Sequence, residues 1–271
     1  MSKKERHRQD LIPLFDEFIK TTDSEIIFSY LTSNSNLPGR RANIELAQAF
    51  AEVCETYSAE EFESIETLIL GLIELTPDEA PVDSPKEFLS FCGILGLGVL
   101  GSIHPSFFNE SLFHLHRLAE DPRWRIREAV AMATQRLIKE RGEKVLQELD
   151  TWIAKGNWLR MRAVAAGVAE PTLLNDKLLA DWALELHKKI FYRVHASTDR
   201  RSEAFKTLRQ GLSYTLSVIV SALPTEGFEY IYELIDMQDE DILRIIKQNL
   251  KKNRLSKNYS NEVENLSKFL K

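Results

Sequence analysis

The stretch 120–137, EDPRWRIREAVAMATQRL, partly returns 34 residues later, and that recurrence narrows the fold more than any other feature of the chain. Trp124-Arg-Ile-Arg-Glu-Ala-Val-Ala is answered by Trp158-Leu-Arg-Met-Arg-Ala-Val-Ala, and Val130 to Val164 repeats the interval of 34. Trp124, Ile126, Val130, Ala133 and Leu137 recur at helical spacing and make a broad apolar face. Ala129, Ala131 and Ala133 keep the helix thin, so a neighbour can lie close against it. Asp121-Pro122 predicts its start, because aspartate is a favoured N-cap and proline loses nothing at the first helical position. Weaker echoes are DEDILRIIKQNL at 239–250 and LPGRRANIELA at 37–47. Recurrence at roughly 35–45 residues is the mark of helical-pair repeats. No run alternates with period two between turn signals. The expectation is an all-α chain of about thirteen or fourteen helices in antiparallel pairs.

Periodicity and capping residues place helices at 3–20, 24–31, 40–56, 58–75, 85–100, 105–119, 143–155, 157–169, 176–196, 199–222, 226–237, 239–252 and 261–269, besides the organising stretch. The clearest break is 76–85, where Pro77, Pro81 and Pro85 alternate with Asp78, Glu79 and Asp83; it reads as an exposed acidic connection.

Asp121, Ile126 and Arg127 resemble the aspartate, aliphatic and arginine of the second helix of a HEAT repeat. DPRWRIREAVAMATQR, LRQGLSYTLSVIVSALP and NLKKNRL together resemble a family of bacterial HEAT-repeat proteins, most densely over 88–255. That family brings a fold and no activity. The resemblance implies an α-α superhelix, a HEAT/armadillo-like solenoid of about six or seven helical pairs over 1–271. Within it, 1–75 would be acidic N-terminal helices, 76–85 the loop, 86–255 the main repeats and 256–271 a polar cap. Gly156 departs from the pattern, standing where an aspartate is expected before Arg162.

The apolar share of 44% suffices for a core that extends along a stack. The net charge of −6 conceals an asymmetry: 8 Lys/Arg against 19 Asp/Glu over 1–110, and 27 against 22 over 111–271. Only the second part could approach a phosphate backbone. Cys54 and Cys92 have no spacing of a disulfide framework, which fits a cytoplasmic protein. The opening MSKKERHRQD has no apolar segment behind it, so no signal peptide is expected. The longest apolar run, 88–103, is too short and too rich in glycine for a good membrane span, so no membrane partner is expected.

Gly96-Leu-Gly98-Val-Leu-Gly101 matches the dinucleotide fingerprint, which needs a strand before it and a helix after it. With no sheet expected, the glycines read as a close helix approach, and no cofactor is expected. His114 and His116 are two apart on a helix and point to different sides, so with His104 they make no metal site. His187 and His195 stand beside Lys188, Lys189 and Arg193, whose charge repels a cation. No Gly-x-Ser-x-Gly or Walker sequence occurs, and no catalytic set stands out.

One constellation carries functional content: Arg123, Trp124, Arg125 and Arg127 in one repeat, Trp158, Arg160 and Arg162 in the next, then Lys188, Lys189, Arg193, Arg200, Arg201 and Arg209. If equivalent positions fall in register on a concave surface, guanidiniums and indoles could hold phosphates and stack bases. Trp124 and Glu128 are four apart and share a helix face, and HEAT-like DNA-alkylation glycosylases are similar in setting tryptophans and an acid in a basic groove. Against this, arginines such as Arg127 can pair with loop aspartates such as Asp121, and the tryptophans can plug gaps between helices. The expected function is therefore a cytoplasmic scaffold that binds a protein or peptide on its concave face, without catalysis. The alternative is DNA binding through the Arg/Trp groove, with Trp124 and Glu128 as the catalytic pair if there is one. Replacing Arg125, Arg160 and Arg201 together by alanine separates site from ladder: a ligand site loses binding at unchanged melting temperature, and a structural ladder loses stability.

Overall fold

The computed structural model describes residues 1–154 and 157–270. Among them are fifteen α-helices, one 3₁₀ turn and no strand, and they form two compact units that part after Glu140. The chain is all-α. The role of Gly156 in the repeat pattern, and the last residues of helix 143–155 and cap 256–271, fall on positions outside the described residues.

The first unit contains α1 (Lys3–Thr21), α2 (Glu25–Ser33), α3 (Ile44–Tyr57), α4 (Phe62–Ile73), α5 (Glu87–Ile103), α6 (Phe108–Leu118) and nearly all of α7 (Trp124–Arg141). Helices α1, α3 and α5 pack side by side as one layer, while α4 and α6 lie against α5. The second unit contains α8 (Glu143–Ala154), α9 (Trp158–Val168), the 3₁₀ turn Leu173–Asn175, α10 (Lys177–Ala196), α11 (Glu203–Ala222), α12 (Pro224–Asp236), α13 (Glu240–Leu250), α14 (Asn253–Ser256) and α15 (Ser260–Phe269). Here α11 lies between α9 and α13, and α8, α10 and α12 form the other layer. Each unit has the two-layer helical stacking of an α-α superhelix. No helix among the described residues is long and apolar enough to cross a membrane.

Side-chain caps set six of the starts among the described residues. Ser2, Asn43, Asn157, Asp176, Ser202 and Asp239 each accept a backbone N–H from the first turn that follows. Several expected starts are corrected: the helices expected from 40 and 199 begin at Ile44 and Glu203, after the caps Asn43 and Ser202. Ser58 ends α3, and its hydroxyl bonds the Glu55 carbonyl, so α4 begins at Phe62. Asp121 does not cap α7: its carboxylate is taken by Arg123, and the helix begins at Trp124. The four-residue α14 was not expected from the sequence.

Helix α5 is buried along nearly its whole circumference, from Glu87 to Ser102. Its glycines are what permit this. A Cβ on Gly96 would stand 2.7 Å from Ile69 Cδ1, one on Gly98 2.8 Å from Ala133 Cα, and one on Gly101 2.6 Å from Ser111 Cβ. The glycine fingerprint is thus a seam where α4, α7 and α6 each approach closely, inside a helix and with no strand before it. Cys54 and Cys92 are free and fully buried, and burial pushes both thiols well above their ordinary range.

The second unit has two buried polar locks. Asn249 on α13 donates to the Leu212 and Ile245 carbonyls and accepts from the Ser217 N–H, all at 2.8–2.9 Å. His187 on α10 meets the Ala183 carbonyl with Nδ1 at 3.0 Å and the Thr215 hydroxyl with Nε2 at 2.9 Å. A carbonyl can only accept, so Nδ1 carries the proton and Nε2 accepts from Thr215. Burial lowers the His187 pKa from 6.5 to about 4.

Two stability predictions follow from these packings. Gly98→Ala lowers unfolding free energy, because overpacking of about 1–3 kcal/mol outweighs the helix-propensity gain of about 0.5–1 kcal/mol. Gly71→Ala, where nothing lies within 4 Å of the new Cβ, gains that propensity alone. Urea titrations of the two variants have opposite signs. His187 binds its proton more readily unfolded than folded, so its contribution is complete above pH ~6.5 and declines as the pH falls towards about 4. The loss is on the order of 3 kcal/mol, and His187→Gln flattens that limb of the stability–pH curve.

Candidate functional site

The arginines at the start of α7 point inward. Arg123 is 1% exposed, and its guanidinium forms a fork on the Asp121 carboxylate at 2.9 and 2.7 Å. The remaining donors reach the Ala80 and Leu75 carbonyls, both at 3.1 Å. Arg125 is 3% exposed and donates to Glu87 Oε2 at 3.0 Å, Asp83 Oδ1 at 2.9 Å and the Gly39 carbonyl at 2.6 Å. Glu87 itself is fully buried and also accepts the Asp83 N–H. Arg127 donates to the Asp121 and Pro122 carbonyls rather than to the Asp121 carboxylate. Arg123 and Arg125 fasten the 74–86 connection and the Gly39 turn to α7, while Arg127 ties down only the turn just before the helix. Arg123 and Arg125 are therefore absent from any open groove: acids and carbonyls inside the unit hold them. Trp124 is 46% exposed with the Arg125 guanidinium 4.5 Å from its ring centroid, and Glu128 is exposed.

The 34-residue register holds within the helices and fails at their first turns. Ala129, Val130, Ala131, Ala133 and Thr134 are buried, as are Ala163, Val164, Ala165, Gly167 and Val168 at the matching positions. In the first turns, Arg125 and Ile126 are buried on α7, whereas Met161 and Arg162 are buried on α9. Arg160 is half-buried, and the Arg162 Cγ lies 3.4 Å from the place a Cβ on Gly211 would take.

The second unit does gather several of the expected groove residues on one open edge. Trp158 stands half-buried at the start of α9, its ring edge-on to Phe205 at 5.3 Å. Tyr192 and Arg193, from the last two turns of α10, separate two adjoining hollows. One is about 420 Å³ and has Trp158, Ser197 and Asp199 in its wall; the other is about 470 Å³ and has Asp150, Ile153 and Lys189. Tyr192 is 66% exposed. Lys189 spans both Asp150 oxygens at 2.7 Å, but both partners are well exposed, so water competes and the pair contributes about 0–1 kcal/mol. Arg193 donates to the Ala154 carbonyl at 3.3 Å, and Arg201 is exposed.

Tyr192 is the residue that sequence reasoning missed. Ile190, Phe191 and Val194 form the buried face of α10, and Tyr192 falls outside that face, a signal a helical wheel carries. Arg200 belongs instead to a structural chain. It forks onto Asp239 at 2.8 and 2.7 Å, while Arg209 holds Asp241 at 2.6 Å. Burial would raise the Asp239 pKa; the Arg200 hydrogen bonds, the Ile242 N–H and His195 outweigh it and hold the carboxyl below its ordinary range. Among the described residues no group of three or more His, Cys, Asp or Glu is placed to hold a metal ion.

The two classes of arginine separate by stability. Arg123→Ala and Arg125→Ala each leave a buried carboxylate or carbonyls unmatched and cost about 3–5 kcal/mol. Arg201→Ala stays within about 0.5 kcal/mol of the parent, as an exposed substitution does. Equilibrium urea unfolding of the three single variants checks the division.

No protein-family model matches the chain, and no curated protein does. Among solved structures, the crystal structure of an engineered protein from the Northeast Structural Genomics Consortium is similar over 98% of both chains, at 13% identity and a TM-score of 0.37.

Proposed function

We propose that this chain is a HEAT-like helical repeat protein of the cytoplasm that binds a protein or peptide partner, and that the α9–α10 edge is its docking place. The observation that carries the reading is Tyr192, a large aromatic 66% exposed between two hollows, with Trp158 in one wall and Lys189 and Arg193 at hand. Aromatic residues and arginine are the side chains that dominate binding energy at interfaces. The partner segment this chemistry suits has an apolar anchor flanked by carboxylates, which would exchange with Asp150 for Lys189. Burial of Arg123 and Arg125 speaks against the alternative, a DNA-binding groove along α7 with Trp124 and Glu128 as its reactive pair. A mobility titration at ~50 mM salt, where phosphate binding is strong, tests that alternative.

Tyr192→Ala combined with Arg193→Ala should weaken capture of a partner from native cytoplasm by at least about tenfold, the scale of a hot-spot pair. Melting temperature should hold, since Tyr192 is exposed and Arg193 half-buried. Undiminished capture by the double variant overturns the assignment of this edge.

A further inference from the structure

A hollow of about 870 Å³ in the second unit lies away from the α9–α10 edge. It is lined by Tyr214 and Val218 of α11, by Leu174, and by Lys252, Asn253 and Arg254. Arg254 donates to the Tyr214 hydroxyl at 2.7 Å, and its guanidinium carbon lies 4.8 Å from the ring centroid; Lys252 Nζ lies 5.6 Å from the same centroid. One aromatic ring thus gathers two cations.

These cations differ from the other strongly held ones in the unit. Arg200 and Arg209 are matched by Asp239 and Asp241, whereas among the described residues neither Lys252 nor Arg254 pairs with a carboxylate. No acid lines the hollow. Between Asp241 and Glu262 the chain carries six Lys/Arg and no Asp or Glu, so nothing local cancels the field. The neighbouring Asp176 is committed to capping α10, accepting the Leu178 N–H at 2.8 Å. The turn that presents the pair is fixed, because the Lys252 carbonyl accepts from Leu255 and Ser256 and the Leu255 side chain is fully buried. A guanidinium held by one N–H keeps its other donors for a ligand.

From this juxtaposition we infer that the Tyr214–Lys252–Arg254 hollow is a binding site for the phosphate group of a small organic phosphate. Two adjacent cations with the amides of Asn175 and Asn253 and the Ser221 hydroxyl offer more donors than the two oxygens of a carboxylate can use, and they suit the oxygens of a phosphate. The volume exceeds that of the anion and lies in the range of small-molecule sites, and Val218, Leu174 and Pro171 give the organic remainder an apolar floor. The inference does not rest on the peptide-docking reading, since it uses other residues of other elements.

The test is a titration of the full chain with inorganic pyrophosphate, followed by amide chemical shifts, against sodium chloride at matched ionic strength. The expected result is saturable shifts at Asn175, Ser221 and 252–254 with pyrophosphate alone. In Lys252→Ala/Arg254→Ala the apparent affinity falls at least about tenfold, as loss of charge-assisted hydrogen bonds requires. Lys252→Gln, a substitution at a half-buried surface position, weakens binding with the fold intact by circular dichroism, and Lys252→Arg restores it. Non-saturating shifts, equal shifts with chloride, or unchanged affinity in the double variant overturn the site. So does retention of duplex DNA by a protein that leaves pyrophosphate unbound, because that pattern belongs to a diffuse basic surface.

Discussion

A helix surrounded by other helices must be narrow wherever a neighbour crosses it. Helix α5 meets this demand with Gly96, Gly98 and Gly101, and the rest of the first unit is arranged on it. Three neighbours reach its backbone closely enough that even a methyl group would collide. The same burial extends to its first residue, Glu87, whose charge has no water to turn to and must be met from inside. Arg125 meets it, and Asp83 and the Gly39 carbonyl complete the set. Packing at one end of α5 and charge at the other are consequences of one constraint, the full enclosure of a single helix.

This explains which parts of the molecule were legible in the sequence. Helix positions followed from apolar periodicity and from caps such as Asp176 and Asp239, because these signals are local. The glycine seam was legible for the same reason: without a sheet, small residues in a row can only be a contact. The direction of the arginines was not read correctly at 123 and 125, although the information was present. Residues two apart on a helix point to different sides, the reasoning that separates His114 from His116, and it forbids Arg123, Arg125 and Arg127 from forming one row. Their partners could not be read at all, since Leu75, Ala80 and Asp83 lie some forty residues away and meet α7 only in the folded chain. Asp121 shows the same competition at closer range. As an N-cap it would have begun the helix at Pro122, but the guanidinium two residues on is the stronger partner for its carboxylate.

The second unit uses a different device. Its helices are joined by polar locks placed between α10, α11 and α13: His187 with Thr215, Asn249 with Ser217, and Arg200 with Asp239. Each is fully matched, so each fixes a register that apolar surfaces alone would leave free to slide. With the locks internal, the cations that remain outside them stand out. Six Lys/Arg follow Asp241 without an acid, in a chain whose net charge is −6. Local composition, rather than the total, indicates where such a protein could meet an anion.

The 74–86 connection carries a practical lesson about reading surfaces. With three prolines and several exposed acids, it resembles the kind of segment chosen for inserting a tag or opening a circular permutation. Yet its carbonyls at Leu75 and Ala80, and the carboxylate of Asp83, are the seats of two buried guanidiniums. Lengthening it would unseat both and leave their charges stranded in the interior. Tolerance to insertion depends on what a loop's backbone holds in place, and a wet, proline-rich surface can be the clasp of a core.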